Sequence, residues 1–144
     1  MPSSRLADKV CVVNGAGNEI GRAVAERFAS EGAVVVGVDQ AGHGVGEYAV
    51  QADLVDEAQV EAMYEQVVHR FGRLDVIYNN MGLMDPGDRS ALEKRLVHWP
   101  MGRFGTLAEA AGTIAFLASE DSGFITAAAL PLDGGITQAF TVPE

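Results

Sequence analysis

The chain has 144 residues, of which 48% are apolar and 21% charged, proportions typical of one soluble globular domain with a sizeable core. Twenty acidic residues against ten basic ones give a net charge of −10, which disfavours nucleic acid or an anionic membrane as a partner. No run is long enough to span a membrane and no signal peptide is apparent, so we expect a single cytoplasmic domain over residues 1–144.

Residues 10–21 predict a strand, a tight glycine turn and the start of a helix. Residues 10–13 are an uninterrupted apolar run, typical of a parallel strand that is covered on both faces. Gly15 and Gly17 allow the backbone to turn sharply and to come close to a ligand, because they have no Cβ. Gly21 allows the helix to pack closely on the strand. The helix dipole and free N–H groups favour a pyrophosphate here. The third glycine falls one residue later than G-x-G-x-x-G requires, so an ordinary glycine turn is the alternative.

The next two elements continue the pattern of a dinucleotide-binding unit. Apolar spacing predicts a helix over residues 20–31, and residues 33–38 predict a second buried strand. Asp39 ends that strand, where an acid can bind the ribose hydroxyls of an adenosine and repel a 2′-phosphate. Gln40 follows it, with no arginine after it. A solvated loop carboxylate is the alternative interpretation of Asp39.

Two further strands and a helix complete this half of the chain. Residues 48–52 predict a short strand that ends at Asp53, and residues 56–71 predict a helix. Residues 74–78 predict a fourth strand, with Tyr78 in the core. The order β-α-β-β-α-β is that of a doubly wound half with parallel strands and right-handed crossovers.

The C-terminal part is less regular. Residues 90–97 are a short polar helix candidate. Thr106 begins a helix, with Glu109 three residues later as a capping box. Residues 127–132 predict a last short strand. The single Cys11 is predicted to be a buried structural thiol in a reducing cytoplasm.

These motifs together resemble the short-chain dehydrogenase/reductase family. Residues 14–21 are similar to the family's T-G-x-x-x-G-x-G turn, with Asn14 in place of the threonine and Glu19 in place of the middle glycine. Residues 79–82 resemble the N-N-A-G end of strand four, and residues 86–87 resemble the P-G pair after strand six. The C-terminal resemblance lies in residues 100–103, the helix from Thr106 and residues 132–135.

The resemblance implies an α/β fold with a Rossmann-like, doubly wound and mostly parallel sheet, and it implies NAD as the cofactor. Asp39 matches the acid that selects NAD, while Asp53 and Leu54 resemble the Asp–aliphatic pair beside the adenine ring. No metal site is expected, since His43 and His69 lack ligand partners at useful spacing. The cofactor-binding residues that we expect are Gly15, Gly17, Asn18, Glu19, Ile20, Gly21, Asp39, Gln40, Asp53, Leu54, Asn80, Met81 and Gly82.

A large internal segment of the family is missing. In the family, the segment between N-N-A-G and P-G carries two helices, strands five and six, the catalytic serine and the Tyr-x-x-x-Lys pair. Here three residues separate Gly82 from Pro86, and no tyrosine has a lysine four residues later. The family's tyrosine transfers the substrate's hydroxyl proton and depends on that lysine for a lowered pKa. We therefore expect impaired or no dehydrogenase activity, and we assign no catalytic residue.

Other side chains are poor substitutes for this acid–base pair. Ser90 and Lys94 have helical i, i+4 spacing, but a serine hydroxyl is a poorer proton donor than a lysine-paired phenol. His98 is interpreted as a loop or interface residue. Three functions stay open: an NAD-binding protein without turnover, an active NAD-dependent oxidoreductase that uses a partner chain or a non-family acid–base, and a non-catalytic interaction protein.

The missing segment also leaves strand four at the edge of the sheet, and exposed edges attract partners. We expect residues 127–132 to lie beside it, giving about five strands in the order 3-2-1-4-7. The helix from Thr106 is expected to cover the apolar face that the lost helices left bare. Remaining apolar surface is expected to be buried in a homodimer or higher homo-oligomer.

Overall fold

The computed structural model describes residues 4–42, 45–80, 94 and 96–139. The strands are β1 (Val10–Asn14), β2 (Val34–Asp39), β3 (Tyr48–Gln51) and β4 (Val76–Asn79). The helices are α1 (Glu19–Ser30), α2 (Glu57–Phe71) and α3 (Leu107–Ala118), and short 3-10 turns cover Leu96–His98, Glu120–Ser122 and Ile136–Gln138. No helix in these ranges has the length and apolar character needed to cross a membrane.

The strands form one parallel sheet in the order β3-β2-β1-β4. β1 lies in the middle, where Val12 is paired with Val36 on one side and with Ile77 on the other. This arrangement confirms the predicted α/β, Rossmann-like class and the predicted order of strands one to four.

Both faces of β1 are buried, which explains its uninterrupted apolar sequence. Cys11 and Val13 belong to the core that α1 covers with Phe28. Val12 belongs to the opposite core, which α2 covers with Met63. Burial raises the pKa of the Cys11 thiol to about 12, so the thiol stays protonated at neutral pH, as predicted for a structural cysteine.

Helix α3 begins as the sequence predicts. The hydroxyl of Thr106 accepts the N–H of Glu109 at 3.2 Å, and Glu109 Oε2 accepts the N–H of Thr106 at 2.8 Å, which completes the capping box. Ala111 and Ala115 of this helix are buried in the core that contains Phe28. α3 therefore packs beside α1 on the same face of the sheet.

Two expectations about the C-terminal part are wrong. Residues 127–132 form no strand and are exposed, so within the described ranges the sheet has four strands and not five. Ala127 has a φ of 51°, a left-handed conformation outside the β region, and Pro131 lacks the N–H that a central ladder needs. α3 also lies on the α1 face, not on the opposite face, where Ile77 of β4 is still 48% exposed.

Ion pairs attach the N-terminal segment to the rest of the domain. The carboxylate of Glu31 is buried and binds Arg5 at 2.6 Å and Arg27 at 2.5 Å. Lys9 Nζ lies 2.7 Å from Glu120 Oε1 and donates to the carbonyl of Ala118 at 3.3 Å. The start of the chain and the end of α3 are thereby joined.

Candidate functional site

The glycine turn between β1 and α1 lies at the carboxyl edge of the sheet. Gly15 has a φ of +74°, and a Cβ there would be 2.7 Å from the carbonyl oxygen of Asn80. A Cβ on Gly21 would overlap the carbonyl oxygen of Gly15. Both positions therefore require glycine, the first for its backbone conformation and the second for close packing.

Asp39 lies at the mouth of this turn. Its Oδ2 accepts the backbone N–H of Gly17 at 3.1 Å, and its Oδ1 accepts the N–H of Ala41 at 2.9 Å. These two bonds hold the carboxylate beside the turn. The structure thus brings together the predicted ribose-binding acid and the predicted phosphate-binding glycines.

The other residues predicted to surround the adenosine lie next to Asp39. Gln40 donates through Nε2 to Asp53 Oδ2 at 3.1 Å, and Asp53 Oδ1 accepts the N–H of Val55 at 3.1 Å. Leu54 packs against the core on the α2 side. The loop ends after β2 and β3 therefore form one polar rim with an apolar side chain at its base.

Asn18 and Asn80 connect the start of α1 to the end of β4. Asn18 is the N-cap, and its Oδ1 accepts the N–H of Gly21 at 2.9 Å and the amide of Asn80 at 2.6 Å. Asn80 Nδ2 is also 3.3 Å from the carbonyl oxygen of Gly15. Tyr78 donates its hydroxyl to Asn80 Oδ1 at 3.2 Å. The side chains of Asn18, Asn80 and Tyr78 therefore hold the turn in place.

The first residues of α1, Glu19 and Ile20, are exposed. In the part of the chain that the structure describes, their backbone N–H groups have no acceptor. They lie at the positive end of the helix dipole, where an anionic ligand is favoured. The same place carries the carboxylate of Glu19.

One polar cluster was not predicted from the sequence. Asn14 donates through Nδ2 to Asn79 Oδ1 at 2.6 Å and to the hydroxyl of Tyr64 at 3.0 Å. Asn14 and Asn79 are paired residues at the carboxyl ends of β1 and β4. This register places both amides at the carboxyl edge of the sheet. Aligning strand four with strand one in the sequence could have predicted the pair.

A cavity of about 1170 Å³ opens beside the start of α1. Arg103 on its wall donates to both carboxylate oxygens of Glu109, at 2.8 and 2.5 Å. This pairing, with the Thr106 bonds, lowers the pKa of Glu109 to about 2. The cavity is lined further by Glu19, Ile20, Trp99, Met101, Leu107, Phe116, Leu132 and Ile136.

Five further residues were singled out from the sequence, two as cofactor-binding residues and three as acid–base candidates that were set aside. Met81, Gly82 and Ser90 lie outside the described residues. Lys94 and His98 are exposed. Within the described ranges, no group of three or more His, Cys, Asp or Glu side chains is arranged to hold a metal ion.

The parallel sheet, the required glycines and the acid that ends β2 define a Rossmann-like protein. A sequence profile described as enoyl-(acyl carrier protein) reductase matches the chain over residues 15–99 and 86–137. The chain belongs to the short-chain dehydrogenase/reductase family of oxidoreductases. The two matched segments fit an internally shortened member.

Two relatives show how much of the family this chain covers. It is 39% identical over 105 residues to meso-2,3-butanediol dehydrogenase of Serratia marcescens, a match that covers 66% of this chain and 41% of the relative. It is 38% identical over 96 residues to levodione reductase of Leifsonia aquatica, covering 57% of this chain and 36% of the relative. The chain therefore spans well under half the length of these relatives.

Solved structures agree on the fold. The ligand-free aldohexose dehydrogenase of Thermoplasma acidophilum superposes with a TM-score of 0.82 at 21% identity, covering 99% of this chain and 100% of that one. A short-chain dehydrogenase/reductase from Burkholderia xenovorans gives a TM-score of 0.84 at 22% identity, covering 96% and 100%. At this identity the likeness concerns the fold alone.

Proposed function

We propose that this chain is an NAD-binding member of its family with impaired or no dehydrogenase activity. The observation that carries the proposal is the bond between Gly17 N–H and Asp39 Oδ2 at 3.1 Å. This bond holds a carboxylate beside the glycine turn. It supports the proposal because an acid at the end of the second strand can bind the ribose hydroxyls of an adenosine whose phosphate lies on that turn.

The residues present fit the adenosine half of NAD. Asp39 offers acceptors to the ribose hydroxyls, and the rim formed by Asp53 and Leu54 offers a polar edge and an apolar contact to the adenine. The N–H groups of Glu19 and Ile20 are available to the diphosphate. When bound, NAD supplies a nicotinamide ring that accepts a hydride.

The preference for NAD over NADP follows from charge. A 2′-phosphate on the adenosine ribose would lie against the Asp39 carboxylate, and the two negative charges would repel each other. The residues that follow Asp39, Gln40 and Ala41, carry no positive charge to offset this repulsion.

The loss of activity follows from the missing proton donor. The sequence contains no Tyr-x-x-x-Lys. Tyr78, beside the glycine turn, donates its hydroxyl to Asn80, and burial raises the pKa of this phenol. A catalytic tyrosine needs the opposite shift, towards the working pH.

Calorimetric titration of NAD and NADP into the purified protein tests the proposal. We expect NAD to bind and NADP to bind more weakly. Equal or tighter binding of NADP contradicts the role of Asp39, and absence of binding by both dinucleotides contradicts the proposed function as a whole.

A further inference from the structure

Glu19 carries a carboxylate at the N-terminus of α1, where we propose that the diphosphate of NAD binds. It is the first residue of α1, it is exposed, and its side chain lines the cavity beside the helix start. In the described part of the chain it makes no ion pair. Glu19 stands where the T-G-x-x-x-G-x-G motif has its middle glycine, so its charge is a departure from that motif.

A carboxylate at a helix N-terminus interacts favourably with the helix dipole. A bound diphosphate uses the same dipole and the same free N–H groups. Glu19 therefore acts on such a ligand in two ways, because it competes for the positive end of the helix and repels the incoming negative charge.

The remaining N–H groups of the turn offer little compensation. Gly17 donates to Asp39, and Gly21 donates to the N-cap Asn18. Gly15 and Ala16 both donate to the carbonyl oxygen of Val38. Of the N–H groups from Gly15 to Gly21, those without an acceptor among the described residues belong to Asn18, Glu19 and Ile20, so a diphosphate on this turn would bind beside Glu19.

Among the residues that the structure describes, positive charge near Glu19 is also scarce. Arg22 is exposed one turn further along α1, and none of the ion pairs between described residues joins it to Glu19. Arg103, on the wall of the same cavity, is engaged by both carboxylate oxygens of Glu109. The chain as a whole carries a net charge of −10.

We propose that Glu19 is a specificity-determining residue that favours an uncharged adenosine group over the diphosphate-bearing dinucleotide. The inference rests on the proposed function, since it concerns the same site. The adenosine half is held by Asp39 and its neighbours, whereas the diphosphate is opposed by Glu19. The natural chain is accordingly expected to bind NAD no more tightly than adenosine.

The test compares Glu19→Gln and Glu19→Gly with the natural protein by calorimetric titration of NAD and of adenosine. Both substitutions are expected to tighten NAD binding about tenfold, the scale of one charge–charge repulsion near a protein surface. Adenosine affinity should stay within about twofold, because adenosine carries no charge near Glu19. Glu26→Gln, which removes an exposed carboxylate further along α1, is the matched control and should change neither affinity.

Salt dependence shows whether Glu19 weakens NAD binding through its charge or through the size of its side chain. At about 1 M sodium chloride the advantage of Glu19→Gln for NAD should shrink, because screening shortens the reach of the carboxylate. If both Glu19 variants bind NAD as the natural protein does, the inference is wrong and the proposed function stands. If Glu19→Gly alone gains affinity, the effect is steric and the role of charge is wrong. If no variant binds NAD or adenosine, the inference and the proposed function are both wrong.

Discussion

The side-chain amide of Asn80 lies 2.6 Å from Asn18 Oδ1, and this bond joins the residue after β4 to the N-cap of α1. The same Asn18 oxygen accepts the N–H of Gly21. A single acceptor therefore closes the start of the helix and attaches it to the neighbouring strand. These bonds hold the glycine turn in one shape, which would lower the cost of ordering it if the proposed dinucleotide binds.

The Asn18–Asn80 bond should be measurable as a coupling free energy. Asn18→Ala and Asn80→Ala are each expected to lower the free energy of unfolding by about 1 kcal/mol, the usual net value of one hydrogen bond. The double variant should lose less than the sum of the two. Urea denaturation measures all four proteins of this cycle. Strictly additive losses would show that the two side chains do not depend on each other.

Asp39→Ala is expected to weaken NAD binding by about 1–3 kcal/mol, because the ribose hydroxyls lose a charged hydrogen-bond partner. Asp39→Asn is the control that keeps the shape of the side chain and removes its charge. It should narrow the difference between NAD and NADP, as measured by calorimetry. A variant that discriminates between the two dinucleotides as well as the natural protein would assign the preference to another residue.

Oxidation of secondary alcohols and reduction of simple ketones should stay near background with NAD or NADH. The physical reason is that the sequence has no Tyr-x-x-x-Lys pair to transfer the hydroxyl proton. Absorbance of NADH at saturating cofactor measures this in a preparation free of host dehydrogenases. Tyr78→Phe should leave the background unchanged. Robust turnover contradicts the prediction, and Lys94→Ala and His98→Ala would then show whether either residue supplies the proton transfer.

The elements that the sequence predicts correctly are those with a local cause. The buried run of β1 and the Thr106–Glu109 capping box depend on a few neighbouring residues, so their patterns suffice. The positions of Asp39 and Asn80 follow from parallel topology, which brings the carboxyl ends of strands to one edge.

The errors concern relations between distant parts of the chain. The apolar pattern of α3 indicates a buried face but does not say which side of the sheet it covers. The strand predicted for residues 127–132 depends on a partner that its own sequence cannot specify. The walls of the cavity come from irregular residues such as Trp99 and Ile136, for which no periodicity exists.

Glu31 should make the stability of the domain sensitive to acid. The hydrogen bond from Arg5, and after it that from Arg27, lower the pKa of this buried carboxyl below its ordinary value of 4.5. Because the folded pKa lies below the unfolded one, the stabilisation is present above about pH 4.5 and is lost as the pH falls through the folded pKa. Thermal denaturation as a function of pH measures this loss.

Glu31→Gln is expected to cost about 3 kcal/mol at neutral pH, the lower end for breaking a buried ion pair, because both arginines are partly exposed. The variant should also lose the acid-dependent part of the stability. Glu26→Gln, at an exposed site on the same helix, is the control and should leave the pH profile unchanged. An unaltered profile in Glu31→Gln would assign the acid sensitivity to other carboxyls.

The chain is expected to self-associate, most simply as a two-fold dimer, through the apolar surface that follows α3. Phe124 is fully exposed there, and Leu130 and Leu132 are 54% and 56% exposed. Phe124→Lys should shift light scattering from dimer to monomer. Val55→Lys, at an apolar residue 85% exposed before α2, is the control. A dilute monomer in the natural protein contradicts the prediction.

The junction between Lys9 and Glu120 has a consequence for how the chain acquires its structure. These residues are 111 positions apart in sequence. Ala111 and Ala115 of α3 are buried in the same core as Cys11 of β1. Closing such a long loop must precede the contacts that reward it, which slows folding. During synthesis the face of β1 that contains Cys11 can therefore be covered by α1, but its core is completed only after α3 has been made.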